Sequence, residues 1–376
     1  MLCDLSKYFD TASATPLDER VMAAMEPYLF HYFANPNAHH RLGKHAATAI
    51  EQATTDVANA LQLDPAGIIW TSGATESITT AISSAHHFYH NPNKPYILTS
   101  ALEHGAVLES VKELNLKAKY LSDIQEGLIN PNQINDHKDA CILVTHHINN
   151  ETGCIQNTTN IIDTCKQQGI ITCIDATQSI GKVPLKDIPN QADYLILASH
   201  KAFGPKGIGL LYANQKPKRL VKPILYGKSK WPKRPGTLPT ALIVGFAKAV
   251  AIFNESQLIH VKKLRATFIN HIHPQIKTNI NHDQCVPHII SIYCQGVFAQ
   301  TIIRHLEAFA LTSGSACMSG QNQQAEIIRL ITNNDDQANE TLRISLCHYH
   351  QVDDVLALCK QLNAAYEYLK GFNPCL

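Results

Sequence analysis

The 376-residue chain has no apolar stretch of ~18 residues, the length a bilayer-spanning helix requires, so no transmembrane segment is expected. Its first residues, Met1-Leu2-Cys3-Asp4-Leu5-Ser6-Lys7, lack a basic segment followed by an apolar one. No secretory signal is expected, and a cytoplasmic address follows. Long runs of one charge sign are absent as well. With 32 Lys and Arg against 31 Asp and Glu, the formal net charge is +1, which argues against nucleic acid or an anionic membrane as a direct partner. The 11 cysteines are an odd number, scattered, and form no Cys-x-x-Cys pair, so neither a disulfide framework nor a zinc ribbon is indicated. Histidines are plentiful, but the neighbours in His39-His40, His86-His87 and His146-His147 point apart on a helix or strand, and no metal site is expected.

What the chain does contain is alternation. Hydrophobic residues make up 45% and charged residues 17%, as in a globular protein, and the length suggests two domains. Ile68–Ser72, Tyr96–Ser100, Ile142–Thr145, Ile170–Ile174 and Tyr194–Ala198 read as short buried strands, and Gly207–Tyr212 as another of the same parallel kind. Helical spacing fills the intervals, for example Ile50, Thr54, Val57 and Leu61. This is the pattern of a doubly wound α/β sheet, which binds ligands at the carboxyl ends of its strands.

Chemistry-bearing residues stand at those ends. Lys201 follows the 194–198 run in Ser199-His200-Lys201, where partial desolvation would make its amine a nucleophile. Asp175 and Gln178 follow the 170–174 run. A lysine for covalent attachment and a carboxylate for a pyridine nitrogen suit pyridoxal phosphate. Gly73, then Ala74-Thr75-Glu76-Ser77, makes a strand, a glycine and a helix start, which is an anion cradle. His104, after the 96–100 run, can serve near neutral pH as an acid or base. From about residue 250 the pattern becomes a smaller α+β arrangement, with a strand at 286–292. Within it, Ser313-Gly314-Ser315-Ala316-Cys317 sets one thiol among small and polar residues, as a travelling loop would.

From Tyr8-Phe9-Asp10 to Arg343-Ile344-Ser345-Leu346, and through Ser72-Gly73-Ala74-Thr75-Glu76, Asn149-Asn150-Glu151 and Ser-Gly-Ser-Ala-Cys317, the chain resembles the class V aminotransferase family. Within that family it is most similar to the cysteine desulfurases of the NifS/IscS type, group I. The resemblance implies the pyridoxal-phosphate transferase fold type I, with a mainly parallel seven-stranded sheet in a large domain (15–250) and a small α+β domain (1–14 plus 251–376). It implies that Lys201 holds pyridoxal 5′-phosphate, that Asp175 and Gln178 bind its ring nitrogen and phenolate oxygen, and that His104 stacks on the ring. Ala74, Thr75, Asn150, Ser199, His200 and, from a neighbouring subunit, Thr237 would complete the cofactor site. Asn35, Asn150 and Arg343 would hold the substrate, L-cysteine, and Cys317 would take its sulfur as a persulfide.

A homodimer with shared sites and a sulfur-acceptor protein, either an iron-sulfur scaffold or a tRNA-thiolation carrier, are further implications. Departures from the family pattern occur at Ala198, where relatives place a serine and Ser199 would substitute, and at Tyr226–Lys230, which lacks the usual glycines and acid. The short stretch after the 351–369 helix offers no long tail for docking a scaffold. A selenocysteine lyase or related lyase, and a non-catalytic scaffold that keeps the fold, stay open as alternatives.

Overall fold

A computed structural model describes residues 4–185, 188–313 and 323–371. Among these, seven strands form one sheet: β1 (Ile68–Thr71), β2 (Tyr96–Ser100), β3 (Ala118–Leu121), β4 (Ala140–His146), β5 (Ile171–Asp175), β6 (Tyr194–Ala198) and β7 (Gly209–Ala213). Their spatial order is β1-β7-β6-β5-β4-β2-β3. β2, β4 and β6 are buried along their whole length, which is why they read as unbroken apolar runs and not as alternating ones. β3, β2, β4, β5 and β6 pair in parallel.

β7 runs against both of its neighbours, which corrects the parallel direction expected for it. The Ser199–Ile208 connection is shorter than the dozen or more residues that a parallel crossover needs. β1, antiparallel to β7, therefore points the same way as the other five strands, and its carboxyl end joins theirs at one edge.

Helices cover both faces. α1 (Glu19–Phe30) starts at Asp18, whose carboxylate accepts from the Arg20 amide at 2.8 Å. α2 (Arg41–Leu61) packs on one side, where Ile50 and Val57 meet Trp70, Leu195, Leu197 and Phe246 of one core. α3 (Ala74–Tyr89) and α4 (Gly105–Glu113) pack on the other, where Ile78, Ile82 and Val107 meet Ile97, Ile142 and Ile196.

A second, antiparallel sheet is formed by β8 (Ile276–Thr278), β9 (Ile289–Cys294) and β10 (Thr341–Ser345). β9 starts three residues later than the 286–292 reading. Pro287 has no N–H to give a ladder, and the Val286 amide bonds instead to the Gly153 carbonyl at 2.9 Å. α5 (Glu255–His271) and α6 (Val352–Lys370) cover this sheet through Leu264, Phe268, Leu358 and Leu362. Phe9 joins the same core, so the N-terminal strap, residues 8–15, is anchored on the second sheet: the Phe9 amide donates to the Ala310 carbonyl at 3.1 Å and the Ser345 amide to the Phe9 carbonyl at 2.8 Å.

Gly209, at the start of β7, lies against Gly73, at the end of the β1–α3 turn. A Cβ on Gly209 would sit 2.6 Å from the Gly73 Cα, a backbone contact that cannot rotate away. Gly209→Ala is expected to destabilise the fold by about 2 kcal/mol, read as a lower urea midpoint with an unchanged slope.

Candidate active site

Because β1, β2, β4, β5 and β6 point one way, the residues that follow them converge on one cleft of about 640 Å³. Ala74 and Thr75 enter from the β1 side, His104 from β2, Asn150 from β4, Asp175 and Gln178 from β5, and His200 and Lys201 from β6. Arg343, in the middle of β10, reaches the same cleft from the second sheet.

Lys201 ends the short turn Ser199–Lys201, and its Nζ donates to the carbonyls of Ala12 and Ser13, both at 2.7 Å. Burial brings the ammonium down to about 8; the Arg343 guanidinium pushes the same way, while Glu151, Asp10 and Asp175 oppose. Asp175 is pinned by its Oδ1, which accepts from the Thr177 amide at 2.9 Å. His104 caps α4, its Nδ1 accepting from the Ala106 amide at 3.0 Å. That bond leaves the ring proton on Nε2, and desolvation lowers the pKa below the ordinary histidine value, with Asp175 acting against it. Desolvation, helped by Lys201, holds His200 at about 4. Gln178 is held at both ends: Nε2 donates to the Ala12 carbonyl at 2.9 Å, and Oε1 accepts from Lys182 Nζ at 3.2 Å.

The Arg343 guanidinium is buried. Nη2 donates to Asp10 Oδ1 at 2.9 Å and to Ser13 Oγ at 2.6 Å, and Nη1 donates to the Asn150 carbonyl at 2.9 Å and lies 2.9 Å from Glu151 Oε2. Burial alone would lower its pKa, but Glu151 and Asp10 outweigh burial and raise it. Only Nε is left without a protein partner, so a substrate carboxylate has to compete with one of the two acids.

The residues fit pyridoxal phosphate. α3 begins at Gly73 with no side-chain cap, so its first amides and the positive end of its dipole are available to a phosphate. The space over Gly73 is open, with nothing within 4 Å of where a Cβ would stand. An amine that loses its proton near neutral pH, a carboxylate at the end of the neighbouring strand and a neutral imidazole line the same wall.

Two residues expected in the cleft of their own chain, Ser199 and Asn35, lie elsewhere. Ser199 is fully buried away from the cleft, packed against Gly204, where an added Cβ would come within 2.0 Å of its Oγ. In this 3-10 turn the three side chains point in three directions about 120° apart; His200 and Lys201 share the side that lines the cleft and Ser199 is left facing the core, so the proposed substitution for Ala198 is corrected. Asn35 spends its Oδ1 on the Asn37 amide at 2.9 Å in an exposed turn and does not line the cleft. Thr237 is exposed and off the cleft of its own chain. Cys317 lies outside the described residues.

Among the cleft residues given no role from sequence are Ser13, His146, Glu151 and Lys206. Glu151 carried a signal, as an acid beside the asparagine pair. His146 pairs its Nδ1 with buried Glu103 at 2.9 Å, a contact between residues 43 apart that no local pattern reveals.

A desolvated lysine and a fixed aspartate at the carboxyl edge of a mainly parallel sheet, with an uncapped helix beside them, define a pyridoxal-phosphate enzyme of fold type I. Residues 7–358 match the aminotransferase class-V family, and the chain belongs to it. It is 33% identical over 379 residues to cysteine desulfurase IscS of Neisseria meningitidis serogroup C (strain 053442), covering 98% of this chain and 94% of that one. To the enzyme of the same name from Vibrio vulnificus (strain CMCP6) it is 34% identical over 381 residues, with the same coverage. Among solved structures, a NifS-like protein superposes with a TM-score of 0.88 at 26% identity, covering 96% of this chain and 99% of the other. SspA in complex with cysteine superposes with 0.80 at 29% identity, covering 92% and 100%.

The depressed Lys201 pKa sets a test. In protein freed of cofactor, labelling of Lys201 by an amine-directed reagent should rise with pH to half its limit near 8, whereas exposed lysines follow the ordinary value of about 10.4. Peptide mapping after labelling checks this.

Proposed function

We propose that this chain is a cysteine desulfurase, converting L-cysteine to L-alanine and collecting the sulfur on Cys317. The observation that carries the reading is Lys201: a buried amine at about 8, in one cleft with Asp175 and Arg343, in a chain one-third identical over nearly its full length to enzymes of that name.

Bound pyridoxal phosphate supplies an electron sink for charge developing at the substrate Cα. The protein's part is to hold and move protons around it. Asp175 keeps a pyridine nitrogen protonated, His104 covers the ring, and the N-terminus of α3 with Ala74 and Thr75 takes the phosphate. Arg343 takes the substrate carboxylate by exchanging it for Asp10, the more exposed of its two acids. Lys201, poised near neutrality, takes the proton from Cα and returns one. The Cys317 thiolate attacks the substrate sulfur, the Cβ–S bond breaks with its electron pair staying on the carbon frame, and Cβ takes a proton. The products are alanine and a persulfide on Cys317. Cys317 enters through the Ser-Gly-Ser-Ala-Cys motif alone.

The wider setting follows from the same reading. The enzyme works in the cytoplasm as a homodimer, with the partner subunit's Thr237 completing the phosphate site. Residues 15–250 serve as the cofactor domain, and 1–14 plus 251–376 as the domain that carries the thiol. The sulfur passes to an acceptor protein of iron-sulfur assembly or of tRNA thiolation.

Two substitutions separate the roles. Lys201→Ala should lose the visible cofactor band and lower alanine formation by roughly a hundredfold or more. Cys317→Ala should keep the band and lose persulfide. Absorbance, alanine release and persulfide trapping are measured in parallel. A Cys317→Ala protein that still accumulates persulfide would sink the assignment.

A further inference from the structure

Gln178 ends in an amide whose two sides have nearly the same shape but opposite hydrogen-bonding sense, so what it offers the cleft depends on what holds it from behind. Behind it stands Lys182, buried at 8% exposure, with Nζ 3.2 Å from Gln178 Oε1. In its protonated form Lys182 donates and cannot accept, and the bond at 3.2 Å runs from its Nζ to the amide oxygen. It therefore keeps the amide oxygen on its own side and turns the NH₂ group toward the cleft, where Nε2 meets the Ala12 carbonyl at 2.9 Å. The same carbonyl takes Lys201 Nζ at 2.7 Å.

Lys182 is an expensive way to hold an amide. Desolvation dominates its titration, and the charged neighbours Lys201 and Arg343 repel it while only the Cys347 thiol favours it; together they bring it to about 7. The small cavity it lines with Cys347 also holds His288, whose pKa burial and the Lys182 charge both push down. A cation in such surroundings does not stabilise the fold. Among the described residues, its one directed side-chain contact is with Gln178.

We propose that Lys182 is a positioning residue of the cofactor site, locking the Gln178 amide so that it presents N–H, and not C=O, to the ring oxygen of pyridoxal phosphate. This rests on the cofactor reading given above. An N–H donor favours the ionised ring oxygen, and below the Lys182 midpoint of about 7 a buried positive charge adds to it, so removing Lys182 removes two effects of the same sign.

The test loads wild type, Lys182→Met and Lys182→Arg with pyridoxal phosphate and follows the visible spectrum against pH. In Lys182→Met the midpoint at which the bound chromophore loses its proton should rise by about one pH unit, a tenfold change in proton affinity. Lys182→Arg keeps charge and donor and should stay at the wild-type midpoint. Lys182→Met should also melt no lower than wild type, because an unpaired buried cation has gone, an outcome that a merely structural role would not give. If Lys182→Met does not fold, Gln178→Glu, which removes the N–H donor directly, should raise the midpoint in the same direction. A midpoint unchanged in the folded variant, or shifted as far in Lys182→Arg as in Lys182→Met, overturns the proposal. A wild-type protein with no visible band would instead remove the cofactor reading itself.

Discussion

The amine of Lys201 rests on the carbonyls of Ala12 and Ser13, and through these two hydrogen bonds the N-terminal strap ties the edge of the large sheet to the second sheet. The strap that supplies them is tied at its other end to the second sheet, through backbone bonds of Phe9 to Ala310 and Ser345 and through the Ala12 amide on Ser345 Oγ at 3.0 Å. The Thr15 amide closes the strap on the His200 carbonyl at 2.9 Å. One short extended segment thus fixes the distance between the end of β6 and the middle of β10. Arg343 is held in the same cleft as Lys201 by this segment, through Asp10 and Ser13, and by its own contacts with the Asn150 carbonyl and Glu151.

The same arrangement explains the uneven treatment of the buried cations. Arg343 is matched by two carboxylates, Asp10 and Glu151, and stays charged. Lys201, in the same cleft, has only carbonyl oxygens as hydrogen-bond partners among the described residues. Carbonyls accept hydrogen bonds from an amine in either protonation state, whereas a carboxylate would hold the proton on. The acids are thus spent on the group that must remain a cation, and the group that must exchange protons is left to desolvation. Moving Glu151 from Arg343 to Lys201 would hold the proton on Lys201, while Arg343 would stay a cation beside Asp10.

The fold and the centre of the site were legible because they rest on local pattern. Fully buried strands read as apolar runs, and a polar residue directly after such a run has one place to go, the carboxyl edge; Lys201, Asp175, His104 and the Gly73-Ala74-Thr75 turn all obey this. Where direction within a turn decided the outcome, pattern was silent. Ser199 and Lys201 are two residues apart, yet one faces the core and the other lines the cleft. Asn35 has the residue type for a substrate contact but closes its own turn, a competition that short polar side chains enter whenever an amide lies two residues on. The acid partners of Arg343 come from residues 10 and 151, far apart in sequence and joined only by the tertiary fold.

β7 shows how a reversed strand serves the site. Since it runs against β6, its amino end lies at the edge where the parallel strands have their carboxyl ends, and the turn before it brings Lys206 and Gly207 to the cleft. Its first residue, Gly209, lets the strand close on Gly73, which brings the N-terminus of α3 hard against the sheet edge and leaves its amides uncapped. With Ala198 offering no hydroxyl and Ser199 turned inward, a phosphate bound at this end as proposed would rely on those amides, on Thr75 and on the Lys206 charge. Amides fixed by a helix need no side-chain ordering when they bind an anion, so a cradle built this way tolerates the loss of one serine, provided that the glycine contact beneath it is kept.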